Sequence, residues 1–251
     1  MVFGKHFAMK PQKILNRLKP TVICHMACSI NGKIIGEHWG NWQEKFGNVY
    51  ETCHQSFKSQ AWMCGRVTFE KNFSDEKRSG RRKYKEKVER KPFVGNKDAR
   101  SFAIAVDPGG KLGWKHSEID GDHIIELLTE HVDDAYLHYL RRRNISYIFA
   151  GKSKINFAKA LHQLGSLFPI KTIMLEGGGL INGSMLKAGL IDELSLLLFP
   201  IADATPGTAT VFDLPENYAV KKFSKYLRLK QVRKLKHQVL WITYKMTVVM
   251  R

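Results

Sequence analysis

The second half of the chain has the more regular pattern of apolar and polar positions. Between residues 133 and 200, segments with helical periodicity alternate with short apolar runs in the order αβαβαβ. The predicted helices cover 133–143, 154–165 and 179–189, and the predicted strands cover 145–151, 170–175 and 192–200. This alternation is typical of a mostly parallel sheet flanked by helices. We expect Asp133 near the start of the first helix and Gly165 at the end of the second.

The first half is less regular. Apolar runs predict buried strands over 21–30 and 61–65, and a strand, an Asp-Pro-Gly-Gly turn and a second short strand within 101–114. A helix is expected over 48–60 and a helix or turn from Arg66, whereas 122–130 fits a strand or a helix. Near the C-terminus, apolar residues interleaved with basic ones predict antiparallel edge strands with one solvated face.

No repeat or linker divides these segments. The sequence therefore predicts a basic N-terminal extension over 1–19 and a single domain over 20–251. With 251 residues and 43% hydrophobic content, the chain can bury a sizeable core. No apolar run approaches the ~20 residues of a membrane span, and the N-terminus lacks the apolar segment of a secretory signal. We expect a cytoplasmic protein that does not enter a membrane.

The four cysteines, Cys24, Cys28, Cys53 and Cys64, form no CxxC pair and lie among apolar residues. This is typical of reduced core thiols. The segment CHMAC has the residue types of a zinc site, but strand alternation would place Cys24 and Cys28 on one face and His25 on the other. The sequence therefore predicts no metal.

Charge is distributed unevenly along the chain, whose formal net charge is +18. The segment Lys77–Lys91 holds nine basic and two acidic residues, and Lys221–Arg251 holds ten basic and no acidic residue. This pattern favours solubility and a positive field that attracts small anions. Direct contact with nucleic acid is the less favoured alternative.

Three predicted strands end at glycine before a helix or turn: at Gly65, at Gly151 and at Gly177–Gly179. In open α/β sheets, ligands bind beyond the carboxyl ends of strands. Glycine lets backbone N–H groups approach a phosphate, and a helix N-terminus adds partial positive charge. None of the three is a Rossmann or P-loop motif, so each could be a plain turn. Together, with Arg66 and Lys152 adjacent, they predict a groove for a dinucleotide.

Four segments occur in a familiar order: ACSINGKI (27–34), CGRVTFE (64–70), IAVDPGGKL (104–112) and IMLEGGGLINGSMLKAGLIDELSLLLFPI (173–201). Together they resemble the reductase domain of riboflavin biosynthesis, a family with a dihydrofolate-reductase-like fold. The resemblance extends from about Thr21 to Tyr244, and its last segment is the most specific. The HxE…PCxxC deaminase signature of bifunctional relatives is missing, since His116-Ser117-Glu118 has no PCxxC after it. We therefore expect a stand-alone reductase.

The resemblance implies NADPH-dependent reduction of the ribosyl group of a diaminopyrimidine ribose 5′-phosphate to ribityl, by a homodimer. By matching position, it implies that the backbone of Ala27 contacts the nicotinamide end and that Thr68 holds phosphate oxygens. The segment from Gly178 to Ser184 would receive the pyrophosphate. Glu176 would reach the substrate, where it could relay a proton or anchor ring nitrogens.

The predicted cofactor contacts lie at strand ends and helix starts. They are Ala27, Gly65, Arg66, Thr68, Asn72, Gly151, Lys152, Ser153, Gly177, Gly178, Gly179, Leu180 and Asn182. Among them, Arg66, Lys152 and Ser153 are candidates for the 2′-phosphate of NADPH. The predicted substrate contacts are Ser29, His38 and Glu176. Glu176 and Asn31 are the candidate catalytic residues.

Two positions depart from the family pattern. Asn31 stands where the family usually has Asp, and Asn72 stands where it often has Asp. An amide keeps hydrogen-bonding capacity but cannot ionise. A reductase of the same fold acting on another small carbonyl, imine or pterin is therefore an alternative, and a non-catalytic nucleotide or nucleic-acid binder is a more distant one.

Overall fold

A computed structural model describes residues 19–34, 36–74, 76–77, 86–215 and 223–247. The strands within these residues are β1 Thr21–Cys28, β2 Ala61–Gly65, β3 Glu76–Lys77, β4 Phe102–Val106, β5 Leu112–Gly113, β6 Glu118–Ile119, β7 Asp122–Leu128, β8 Ser146–Phe149, β9 Thr172–Leu175, β10 Glu193–Leu198, β11 Leu227–Lys234 and β12 Leu240–Met246. The helices are α1 Trp42–Gln55, α2 Arg66–Asn72, α3 Asp134–Arg142, α4 Phe157–Leu167 and α5 Gly179–Lys187.

Ten of the described strands form one sheet, in the order β11-β12-β10-β1-β9-β2-β4-β7, with β6 and β8 both paired to β7. The strands from β10 to β8 are parallel, and β11, β12 and β6 are antiparallel to their neighbours. The structure therefore confirms the predicted α/β class, with a mostly parallel sheet and antiparallel strands at its C-terminal edge. All parallel strands present their carboxyl ends at the same side of the sheet.

Strand alternation gives the two faces of the sheet different cores. In β1, Cys24 and Cys28 pack with the apolar residues of α4 and α5. His25 points to the opposite face, where its Nδ1 lies 2.9 Å from Ser195 Oγ of β10. The alternation predicted for CHMAC is confirmed, and the four thiols are buried.

The helices α1, α2 and α3 cover the face to which His25 points. In one cluster, Phe46 of α1 packs with Leu197, Phe199 and Trp241. In the other, Phe69 of α2 and Tyr136 of α3 pack against β4, β7 and β8. These two clusters hold α1 and α2 over neighbouring parts of the sheet, on either side of the end of β9.

Several predicted boundaries are wrong. Helix α1 begins at Trp42 rather than residue 48 and ends at Gln55 rather than 60. The extra turns place Phe46 against Phe199, with ring centroids 4.5 Å apart. Gly165 does not end its helix, because α4 continues to Leu167 and buries Leu164 one residue before the glycine. The ambiguous segment 122–130 contains strand β7, which pairs with β4 on one side and β8 on the other.

Parts of three predicted basic segments lie outside the described residues: 1–18 of the extension, 78–85 of the first block, and 221–222 and 248–251 near the C-terminus. Within the described part of the chain, no helix has the length and apolar content required to cross a membrane.

Candidate active site

The sheet has a notch at its carboxyl edge, because the central strand β9 ends before its neighbours. The ladder between β1 and β9 ends at Cys24–Leu175, and the ladder between β2 and β9 ends at Met63–Leu175. Strand β1 nevertheless continues to Cys28, and β2 continues to Gly65. We call this gap the notch; Glu176, the first residue after β9, lies at its floor.

The backbones of Gly65 and Gly177 lie close together beside the notch. A Cβ on Gly177 would lie 3.3 Å from the nitrogen of Gly65, and a Cβ on Gly65 would lie 2.8 Å from Cδ1 of Ile181. Close packing against the backbone is therefore a structural reason for glycine at position 177, whereas at position 65 the neighbouring atom is the movable end of the Ile181 side chain.

Gly178 has no such reason. No atom of the described residues lies within 4 Å of the position that its Cβ would take, and its backbone angles of −58° and 163° suit any residue. It precedes helix α5, whose start has no side-chain cap. Ile181 N donates to Gly178 O at 3.0 Å, so the N–H groups of Gly178, Gly179 and Leu180 are the ones that an anion at this helix N-terminus would meet.

The next glycines of α5 are explained by packing. A Cβ on Gly179 would lie 2.3 Å from Thr210 O, and a Cβ on Gly183 would lie 1.9 Å from Asp213 O. Asn182 is fully buried and donates from Nδ2 to Val211 O at 3.0 Å. These residues bind α5 to the segment 210–213, whereas Leu180 is 53% exposed at the start of the helix.

Exposed apolar side chains surround the notch. Ile30, Val67 and Leu180 follow the ends of β1, β2 and β9, which are adjacent strands, and they are 58%, 56% and 53% exposed. Ligand sites are commonly lined by apolar groups with a few polar ones among them. The backbone of Ala27 pairs with Leu197 of β10 on one side and borders the notch on the other, beyond the last pair with β9.

The third predicted glycine turn lies farther along the same edge. Strands β4 and β7 separate Gly151, after β8, from Gly65, after β2, which corresponds to about 14 Å at ordinary strand spacing. Gly151 is held at φ +146°, and a Cβ there would lie 2.1 Å from Lys154 O, so the turn itself requires glycine. Lys152 and Ser153 are exposed.

Glu176 forms an ion pair that the sequence analysis missed. Its Oε1 lies 2.7 Å from Nδ1 of His54, near the end of α1, and the two side chains are 13% and 19% exposed. Burial lowers the pKa of His54, but the hydrogen bond and the charge of Glu176 outweigh it, so the net pKa is raised. The carboxylate therefore favours the protonated form of the imidazole.

Tyr50 and His25 complete this cluster. The hydroxyl of Tyr50 donates to the carbonyl oxygen of His25 at 3.3 Å, and the two rings are 4.4 Å apart. Burial, followed by the charge of Glu176, raises the pKa of Tyr50. Burial lowers the pKa of His25 to about 4, so His25 is neutral near pH 7.

Asn31 and Ser29 have structural partners. Asn31 Nδ2 donates to Asp203 O at 2.7 Å, its Oδ1 accepts from Asp203 N at 3.2 Å, and Ser29 Oγ donates to the same Oδ1 at 2.8 Å. Both ends of the amide therefore fasten the turn after β1 to the loop at 203. The structure does not bring Asn31 into the hydrogen-bonded cluster of Glu176.

The remaining predicted residues lie on α2 and in the loop before α1. Arg66 forms an i,i+4 ion pair with Glu70, and Thr68 is half-buried in the first turn of α2. Asn72 is exposed and donates from Nδ2 to Thr68 O at 3.0 Å. His38 is exposed in the loop before α1.

A sequence signal for the missed residues existed. Phe46, Tyr50, Cys53 and His54 follow the i, i+4, i+7, i+8 spacing of one helical face. A tyrosine and a histidine within an otherwise apolar stripe indicate a buried polar contact. The partner of that contact could not be read from the sequence, because it lies 122 positions away at Glu176.

These features define an α/β protein with a mostly parallel sheet and a notch at its carboxyl edge. The profile of the RibD C-terminal domain matches residues 20–241. The chain therefore belongs to the RibD C-terminal domain family, a reductase family of riboflavin biosynthesis.

Solved structures agree with this membership at the level of the fold. A pyrimidine reductase-like protein of Corynebacterium diphtheriae has a TM-score of 0.66 at 15% identity, over 96% of both chains. RibD of Acinetobacter baumannii has a TM-score of 0.60 at 15% identity, over 94% of this chain and 60% of that one. The riboflavin biosynthesis reductase of Saccharomyces cerevisiae has a TM-score of 0.56 at 13% identity, over 92% and 91%. The recognised family and its dihydrofolate-reductase-like fold are confirmed.

Proposed function

We propose that the chain is an NADPH-dependent reductase that converts the ribosyl group of a (di)aminopyrimidine ribosylamine 5′-phosphate to ribityl in riboflavin biosynthesis. One observation carries the proposal: the carboxylate of Glu176 lies at the floor of the notch, two residues before Gly178, where the backbone borders open space. Family membership supports the reaction class.

The residues of the notch fit a dinucleotide. The start of α5 offers backbone N–H groups beside the open position at Gly178. Thr68 and Arg66 lie at the start of α2, which follows β2, the strand next to β9. These groups would hold the pyrophosphate, and Ala27 would border the nicotinamide. Lys152 and Ser153 would meet the 2′-phosphate at the far end of the edge. NADPH, when bound there, supplies the hydride.

The protein contributes orientation and a proton. In its opened form the ribosylamine has a C1′=N bond; reduction adds a hydride to C1′ and a proton to the nitrogen. A carboxyl or imidazole within hydrogen-bond reach of the substrate is the group type that supplies such a proton. Glu176 and His54 are the groups of this type at the notch. The net charge of +18 favours an anionic, phosphorylated substrate.

A second candidate is a reductase of the same fold that acts on another small carbonyl or imine. Asn31 favours this candidate. The family usually has a carboxylate at this position, whereas the amide of Asn31 hydrogen-bonds the backbone of Asp203. A steady-state assay of NADPH oxidation with the ribosylamino-pyrimidine phosphate tests the first proposal. Turnover supports it, whereas tight NADPH binding without turnover supports the second candidate.

A further inference from the structure

The Glu176–His54 pair joins helix α1 to the residue that follows strand β9. Glu176 is fixed by its backbone, whose N–H donates to Met63 O at 2.9 Å and whose carbonyl accepts from Cys64 Sγ at 3.1 Å. His54 reaches it from α1 at 2.7 Å. Because both side chains are largely buried but neither is sealed from solvent, a ligand in the notch can approach the pair.

The groups around His54 come from several elements. Glu51 and Tyr50 lie on its own helix, Glu176 follows β9, His25 lies on β1, Cys64 lies on β2, and Asp122 begins β7. The carboxylates among them favour a protonated imidazole, whereas burial opposes it. His25, 6.1 Å away between ring centroids, does not compete for the proton, because burial keeps it neutral.

His25 also has a fixed orientation. Trp241 Nε1 donates to Ser195 Oγ at 2.8 Å, which leaves the serine hydroxyl proton for Nδ1 of His25 at 2.9 Å. The proton of neutral His25 is then on Nε2, directed to Tyr50 O at 3.5 Å. This contact holds the backbone of Tyr50, whose hydroxyl in turn donates to His25 O at 3.3 Å.

We propose that His54 and Glu176 hold one proton between them and deliver it in the reduction, Glu176 acting as the residue that faces the substrate and His54 as the positioning residue that supplies the proton. This rests on the proposed function. The substrate C=N bond gains the hydride at carbon and this proton at nitrogen. The pair is left as neutral imidazole and carboxylate, and it recovers its proton from water.

The first test uses the free protein and needs no substrate. The imidazole pKa values are measured by NMR titration of the ring signals, for the parent and for Glu176→Gln. We expect the pKa of His54 above 6.5 in the parent and below that value in Glu176→Gln, since the carboxylate is gone. His123, which bonds Ser146 Oγ at 2.8 Å, serves as an internal reference and should not shift. A His54 pKa that is unaffected by Glu176→Gln overturns the proposal.

The second test separates delivery of a proton from a structural role. His54→Gln keeps a hydrogen-bond donor for Glu176 but cannot ionise. We expect its kcat to fall about 10- to 100-fold and its pH profile to lose the alkaline limb that His54 gives the parent. KM and NADPH affinity should remain near those of the parent. His123→Asn is the control, because it also removes a buried imidazole but lies outside the site. It should leave kcat unchanged.

The outcomes distinguish this proposal from the proposed function. If the ribosylamino-pyrimidine phosphate is not reduced at all, the proposed function fails, but the NMR result still decides whether the pair shares a proton. If the substrate is reduced and His54→Gln keeps the parental kcat and pH profile, the proposed function survives and the role of His54 is rejected.

Discussion

Gly65 and Gly177 meet where β2 and β9 end, so closely that a Cβ on Gly177 would lie 3.3 Å from the nitrogen of Gly65. One residue later, a Cβ on Gly178 would have no atom of the described part of the chain within 4 Å. The same glycine run therefore contains positions that the fold requires and one that the fold does not require. A ligand that approaches the backbone would explain the second kind.

This difference gives a paired prediction. Gly178→Val should remain folded but lose NADPH binding, because its side chain would enter the space beside the α5 N-terminus. Gly183→Ala should instead lower the free energy of unfolding by about 1–3 kcal/mol, since its Cβ would lie 1.9 Å from Asp213 O and overpack that contact. Urea unfolding measures the free energy of unfolding of the two variants, and calorimetric titration measures their NADPH affinity. Parental NADPH affinity in folded Gly178→Val would return Gly178 to a plain turn.

NADPH should bind at least about tenfold more tightly than NADH, since a charge-assisted contact contributes about 1.5–3 kcal/mol. The 2′-phosphate would meet the exposed Lys152 and Ser153 after β8 or Arg66 after β2. Lys152→Ala should reduce the preference, whereas Lys171→Ala, an exposed lysine at the opposite end of the sheet, should not. Equal dissociation constants for the two cofactors in the parent would contradict the assignment.

Stability should fall on acidification because of His25. Its pKa is lowered to about 4 in the folded state, from the ordinary value of 6.5, by complete burial. The unfolded chain therefore binds more protons, so this stability is present above 6.5 and is lost as the pH falls towards 4. Between about pH 7 and about pH 5 the loss is about 2 kcal/mol from this group. Urea unfolding at both values should show it, and His25→Gln should lack this part of the dependence.

The protein should form a homodimer through the C-terminal strands. Leu229 and Val232 of β11 lie opposite Tyr244 and Ile242 on one sheet face, and they are 54% and 52% exposed. Exposed apolar edge strands are usually covered. Leu229→Glu should convert the dimer to a monomer in light scattering, whereas Leu167→Glu, at another exposed leucine, should not. A monomeric parent at micromolar concentration would contradict this.

Much of the fold could be predicted because its signals are local. The apolar runs of β1, β4 and β10 and the Asp133 start of α3 need only neighbouring residues, and Tyr136 N does donate to the Asp133 carboxylate at 2.7 Å. The start of α1 could not be predicted, because Phe46 is stabilised by Phe199, which is distant in sequence. Tertiary packing here overrode a weak local pattern.

The site was predictable in position but not in its partners. Strand ends and glycines indicate the carboxyl edge of the sheet, and the ligand site assigned to that edge stays a prediction. Only the register reveals that β9 stops before β1 and β2, and only packing reveals that Gly179 and Gly183 serve the segment 210–213. The roles of Asn31 and His54 depend on contacts with Asp203 and Glu176, which are distant in sequence.

In the proposed function, Glu176 faces the substrate, whereas the backbone that follows Glu176 would hold the cofactor. The most direct measurement compares the parent and Glu176→Gln, with NADPH oxidation followed in the presence of the ribosylamino-pyrimidine phosphate and NADPH affinity determined by calorimetry. We predict that kcat/KM falls about 10- to 1000-fold, whereas the dissociation constant for NADPH stays within about twofold, because the backbone after Glu176 holds the cofactor. Parental turnover by Glu176→Gln, or a loss of NADPH binding that accounts for the whole decrease, would contradict the account.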